Sequence, residues 1–212
     1  MKLQHVLVAT ALILFGSSAW ADYSVMDNGE VLKPGHFKAT GNTQVMTENA
    51  GVNVGGRVDM GLTDDYGVRG LLGAGKSGVF LGGLFKWMPI PDTETQPAIG
   101  GNIGLLYLKD DDISDLIFRL EPLVSKRLPV ENVVFTPYAS VPVGLRMRKS
   151  DGDDDGDKDL TLQLVLGTQL QIPTWQKLQF IAEVGIDLDK APGYLNVGAI
   201  FYWDSETGMV LE

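Results

Sequence analysis

Residues 194–203, Tyr194-Leu-Asn-Val-Gly-Ala-Ile-Phe-Tyr-Trp203, alternate Leu195, Val197, Ala199, Phe201 and Trp203 with Asn196, Gly198, Ile200 and Tyr202. A period of two places the first set on one face of a β-strand and the second set on the other. The period recurs upstream. Leu160, Leu162, Leu164, Leu166, Leu170 and Ile172 share one face, and Thr161, Gln163, Gly167, Gln169 and Gln171 the other. In 178–188, Leu178, Phe180, Ala182, Val184, Ile186 and Leu188 stand against Gln179, Glu183, Gly185 and Asp187. Working outward, polar or Gly/Pro turns divide the chain after His36 into ten such segments: 36–46, 53–62, 66–74, 78–87, 98–108, 115–126, 134–147, 160–172, 178–188 and 194–203. Strands of about ten residues cross a bilayer at a tilt.

The N-terminus predicts export. Lys2 and His5 precede an apolar run, Val6 to Phe15, and Gly16, Ser17 and Ser18 lead into Ala19-Trp20-Ala21, the small-x-small pattern of a signal-peptidase site. The run is shorter than the roughly 20 apolar residues of a membrane anchor, so cleavage after Ala21 is expected, with residues 22–35 forming a periplasmic N-terminal segment. The chain carries 17 Lys and Arg against 27 Asp and Glu, a net charge of −10, and no cysteine. Disulfides, Cys-based zinc sites and thiol catalysis are excluded. An acidic chain is also a poor match for nucleic acid, whose phosphates need clustered Lys and Arg. After Phe15 no apolar stretch approaches the length of a membrane helix, so a closed barrel is the one remaining way across.

Within the final segment, Asn196, Gly198, Phe201 and Trp203 have the spacing polar-x-Gly-x-x-aromatic-x-aromatic. This resembles the C-terminal assembly signal of small bacterial outer-membrane β-barrel proteins. The resemblance spans the leader and all ten segments, departing from the common pattern in residues 204–212, which follow the last aromatic as a short tail. It implies an all-β, up-and-down transmembrane barrel over 36–203, outer-membrane lipid as surroundings, and the barrel-assembly machinery as a partner during insertion. A soluble barrel such as a lipocalin would show the same period turned inside out. Aromatic placement separates the two: Phe37, Tyr66, Trp87, Phe135, Trp175 and Trp203 fall near one rim, with Tyr107, Phe118 and Tyr194 near the other, as two lipid interfaces would select. The many glycines suit tight curvature and close packing inside a small barrel.

Inward positions carry Lys38, Arg57, Asp59, Arg69, Lys86, Arg119, Glu121, Arg146, Arg148, Glu183 and Asp187, seven basic and four acidic. A barrel of this size is filled by side chains rather than by a wide aqueous channel. Mixed charge inside therefore reads first as structural, and the basic excess gives a pore reading one edge, a preference for anions. Pro122, Pro137 and Pro142 fall inside the sixth and seventh segments. Each predicts a bulge or a strand boundary, which leaves eight strands as the alternative to ten.

Asp151, Asp153 and Asp155 followed by Gly156 fit the D-x-D-x-D-G start of a calcium loop, with Asp157 offering a carbonyl and Asp159 a ninth-position ligand. Leu162 stands where the bidentate Glu would be, so either weak calcium binding or a solvated, self-repelling loop follows. Catalysis has little to work with: the mature chain keeps one histidine, His36, and loop acids Asp110, Asp111, Asp112 and Asp115. No catalytic residue and no other cofactor is expected. The first expectation is a structural or surface-interacting barrel with an acidic extracellular loop and an unknown surface partner. A narrow, anion-leaning pore is second and a barrel-embedded hydrolase third.

Overall fold

The computed structural model describes residues 24–47, 50–150, 156–172, 174 and 178–204. Every strand pairing is antiparallel. In chain order the strands are β1 (His36–Met46), β2 (Gly51–Gly61), β3 (Tyr66–Gly75), β4 (Gly78–Ile90), β5 (Ala98–Asp110), β6 (Ile113–Ser125), β7 (Leu128–Val130), β8 (Val133–Ser140), β9 (Val143–Ser150), β10 (Asp157–Gln171), β11 (Gln179–Asp189) and β12 (Tyr194–Asp204). Each neighbour in the wall is the next stretch of chain. β12 returns to β1, with Phe37 opposite Trp203 and Met46 opposite Tyr194, so the sheet closes on itself.

Twelve segments make a ten-stranded barrel because two of the breaks do not interrupt the ladder. Leu120 lies opposite Val143 and Leu123 opposite Ser140, one register on both sides of Val141-Pro142. β10 likewise pairs with β8 and β9 in one register, Val165 with Ser140 and Leu162 with Val143. β8 and β9 are thus one strand, and β7 continues β6 past Lys126 to form the end of a long hairpin with β8.

The prolines produce no bulge: Pro142 falls at the β8–β9 break, the boundary that the sequence allowed for, whereas Pro122 and Pro137 sit within strands, neither a bulge nor a boundary. Pro122 pairs with Gly101 and Pro137 with Thr168 without a register shift. Their carbonyls stay in use: Val141 N–H donates to Pro122 O (3.3 Å), Lys126 N–H to Pro137 O (3.1 Å) and Gln163 N–H to Pro142 O (3.1 Å). Each proline forfeits a donor and nothing more. The irregular registers lie elsewhere, between Trp87 and Ile90 and between Leu162 and Gln163.

The pleat divides the wall cleanly. In β1, Lys38, Thr40, Asn42, Gln44 and Met46 are buried while Gly41, Thr43 and Val45 are exposed. In β6, Asp115, Ile117, Arg119, Glu121, Leu123 and Ser125 are buried while Leu116, Phe118, Leu120, Pro122 and Val124 are exposed. The rim carrying the start of β1 and the end of β12 is called the near rim, and that of the β9–β10 connection the far rim.

Candidate functional site

Among the described residues the lumen concentrates the chemistry, and its near-rim half is occupied by the chain itself. Before β1 the segment 24–30 runs inside the wall. Val25, Met26, Asp27 and Asn28 are all nearly inaccessible. The part of the N-terminal segment 22–35 that carries Val25 to Asn28 thus enters the barrel. Asp27 is the hub: Lys86 Nζ approaches its Oδ1 at 2.9 Å, Arg69 at 3.1 Å and Lys38 at 3.6 Å, while Asn102 donates to its Oδ2 at 3.1 Å. Lys38 and Arg69 also face Asp59, with Arg69 Nε donating at 2.6 Å. Asn102 connects the hub to Glu121, itself paired with Arg119 at 2.8 Å.

A second anchor holds the plug backbone. Glu183 accepts the amides of Val25 (2.9 Å) and Met26 (2.6 Å) and the hydroxyls of Tyr138 (2.7 Å) and Tyr194 (2.6 Å). Four donors around one carboxylate satisfy a charge that would otherwise be costly to bury. Arg57 completes the clasp by donating to the Ser24 and Val25 carbonyls at 3.1 and 2.9 Å. Above the plug an apolar cluster of Met46, Leu71, Phe80, Leu84, Leu106, Leu108, Ile117 and Tyr194 packs in the lumen beside buried Gln44, Asn53, Arg146 and Gln163. The far mouth is roofed by the β11–β12 turn, where Ala191 is buried and Pro192 accepts a hydrogen bond from Gln163 at 2.6 Å.

The sequence-derived lumen charges Arg57, Asp59, Arg69, Lys86, Arg119, Glu121, Arg146 and Glu183 are buried inside, as is Lys38. Arg148 stands half-buried near the far mouth in a two-point pair with Asp115, both contacts 2.8 Å. Asp187 is exposed there and caps the turn by accepting the Ala191 amide at 3.0 Å. Reasoning by period missed three counter-charges: Asp27, Asp115 and Asp159. They remove the basic excess and, with it, the argument for anion preference. Asp27 belongs to no strand, so its one sequence signal was the excess itself.

The acidic loop is only partly visible. Asp151, Asp153 and Asp155 lie outside the described residues. Asp157 is the first residue of β10, and Asp159 is engaged by Arg146 (2.9 Å) and Lys190 (2.6 Å). Asp159 is thereby neutralised by cations, a poor state for a calcium ligand. Its hydrogen bond holds the Lys190 ammonium above the usual lysine pKa. His36 sits at the near rim with Nδ1 3.4 Å from the Pro34 carbonyl oxygen, not from a hydroxyl or carboxylate. A cleft of about 630 Å³ opens there between the plug and the wall, bordered by Glu30, Gln169, Gln179 and Tyr202.

The outer surface decides the class. Val54, Leu72, Leu81, Leu105, Phe118, Leu160, Leu188 and Val197 are exposed on the wall, while lysines, arginines and carboxylates are packed within. A water-soluble protein that displayed such a belt would aggregate; in hydrocarbon the same belt is solvated and the closed ladder satisfies the backbone. The fold is that of a transmembrane β-barrel. Of the residues with the polar-x-Gly-x-x-aromatic-x-aromatic spacing, Asn196 and Gly198 face the lumen while Phe201 faces out, and Trp203 stacks on Phe37 at 5.4 Å. Tyr66 packs on Phe85 at 5.5 Å, extending the near-rim girdle. Tyr194 is a correction: expected at the far-rim interface, it points inward to Glu183. Trp175 lies outside the described residues.

No protein-family model matches the chain, and no curated protein matches it. Solved structures with a similar fold include the translocator domain of the autotransporter NalP from Neisseria meningitidis, with TM-score 0.48 and 12% identity over 94% of this chain and 92% of that one. The N-terminal β-barrel domain of Pseudomonas aeruginosa OprF gives 0.34 and 14% over 81% and 100%. A de novo designed transmembrane β-barrel gives 0.40 and 13% over 81% and 98%. The likeness concerns the fold alone.

Proposed function

We propose that the chain is an integral outer-membrane barrel, exported by the leader 1–21, closed by its own N-terminal segment, with a structural or surface-interacting role. The observation that carries this is the pairing of an apolar outer wall with a lumen whose charges pair with one another and hold the plug through Asp27 and Glu183. The near rim is then periplasmic, and the far rim, with loop 149–159, faces the exterior. A partner would meet the barrel through that acidic loop. The occupied lumen weighs against the pore, and the surroundings of His36 lend no support to a hydrolase.

Heat-modifiability tests the reading. The mature protein folded in detergent or lipid should migrate differently with and without boiling and pass no steady current in a planar bilayer. Migration that boiling does not change, with good solubility in plain buffer, would discard it, and steady current would promote the pore. The loop's surface role predicts altered surface behaviour on deletion of residues 149–159. A weak calcium site on Asp151, Asp153 and Asp155 predicts a calorimetric signal abolished by Asp153→Ala with Asp155→Ala; an unchanged signal removes that site.

A further inference from the structure

Among the described side chains of β5, β6, β9 and β10, three charged ones point outward: Lys109 of β5, Lys149 of β9 and Lys158 of β10. All three are basic, exposed and at the far rim. In this sector the carboxylates at the same height, Asp110, Asp115, Asp157 and Asp159, take the lumen side of the pleat, while Asp189 of β11, opposite Leu162, is exposed beside it. The register gathers the lysines. Lys109 lies opposite Ser114, and Ser114 opposite Lys149, so the two lysines are two strands apart, about 10 Å by strand spacing. Lys158 lies opposite Met147, which makes it a diagonal neighbour of Lys149. Just below, the wall turns apolar at Tyr107, Leu116, Leu145 and Leu160.

Solubility alone would not sort charge this way in a chain of net charge −10. An anionic layer at that height would, because lysine stems lie along apolar surface and lift their ammonium groups to it, whereas outward carboxylates would be repelled. We propose that Lys109, Lys149 and Lys158 form a binding surface for phosphate-bearing lipid headgroups in the leaflet at the far rim. The inference rests on the membrane reading above and deepens it by naming a lipid class and a sector of the wall.

The test uses the full mature barrel in zwitterionic detergent, with retained phosphatidylglycerol and phosphatidylcholine counted by native mass spectrometry and boiled and unboiled mobility run on each sample. Phosphatidylglycerol should be retained over phosphatidylcholine, and retention should fall roughly tenfold when Lys109, Lys149 and Lys158 are all changed to Gln. It should persist when the three are Arg, and in the control Lys76→Gln with Lys190→Gln, which removes turn lysines outside the arc. Millimolar inorganic phosphate should not displace it. Equal retention of the two lipids, equal loss in the control, or displacement by inorganic phosphate would each overturn the proposal. Should the triple Gln variant lose its mobility shift, Lys109→Gln with Lys158→Gln is read the same way. A wild-type barrel without a mobility shift overturns the membrane reading itself, and so the two failures are told apart.

Discussion

Asp27 meets three cations in a space closed to water, and that convergence sets the first prediction. Asp27→Asn removes the shared counter-charge of Lys38, Arg69 and Lys86 while keeping the shape. Uncompensated buried charge costs about 3–5 kcal/mol when a pair is broken. Arg69 and Lys38 keep Asp59, so the lower end of that range is expected, read as an earlier urea midpoint for loss of the unboiled gel band. An unchanged midpoint would mean the hub is hydrated and of little weight. At this scale the sequence was legible wherever parity operates: the inward positions of Lys38, Arg57, Asp59, Arg69 and Glu183 follow from a period of two. Asp27 has no period to place it, and a long-range contact to three different strands leaves no local mark.

At the scale of strands, two cross-strand pairs explain why glycine stands where a larger residue would normally stiffen a sheet. Tyr138 lies opposite Gly167 and Tyr194 opposite Gly185. A Cβ at either glycine would collide with the facing tyrosine ring. Both rings lie flat across the neighbouring strand and so aim their hydroxyls at Glu183. Gly167→Val should therefore push Tyr138 off Glu183, lowering the urea midpoint by more than Tyr138→Phe, which loses one hydrogen bond worth about 1–3 kcal/mol to a charged acceptor. Equal effects would show that ring placement is not at stake.

The Pro-rich turn 91–97 is pinned from outside itself. Lys126 Nζ meets Asp92 at 2.8 Å and the carbonyls of Thr93, Glu94 and Gln96, and Asp92 accepts the Arg127 amide at 2.6 Å. Lys126→Ala should speed proteolysis within 91–97 several-fold while leaving the barrel's mobility shift intact. Strand number was legible because segment lengths match a tilted crossing. Eight strands would follow if each proline broke the ladder, but the carbonyls of Pro122, Pro137 and Pro142 stay paired and the register is kept.

The whole molecule couples the plug to closure. Deleting residues 22–30 removes Asp27 and the amides held by Glu183, leaving Lys38, Arg69 and Lys86 to face the vacated space. That variant should show discrete current steps in planar bilayers, with anions favoured, where the intact protein is silent. Silence of a correctly folded deletion variant would place the barrier in the apolar cluster around Phe80 and Ile117. The barrel class was readable from the alternation in 194–203 and 160–172, but a period of two is the same whether the apolar face turns outward or inward, so in the sequence the direction rested on the aromatics at the two rims alone. That choice is the central claim. It can be measured in lipid with nitroxides on single-cysteine variants of residues 103–108, since the chain has no other cysteine. Collision with oxygen dissolved in the bilayer should alternate, high at Ile103, Leu105 and Tyr107 and low at Gly104, Leu106 and Leu108. Alternation of the opposite phase, or free access of a water-soluble nickel complex to Ile103 and Leu105, would contradict an apolar wall facing lipid.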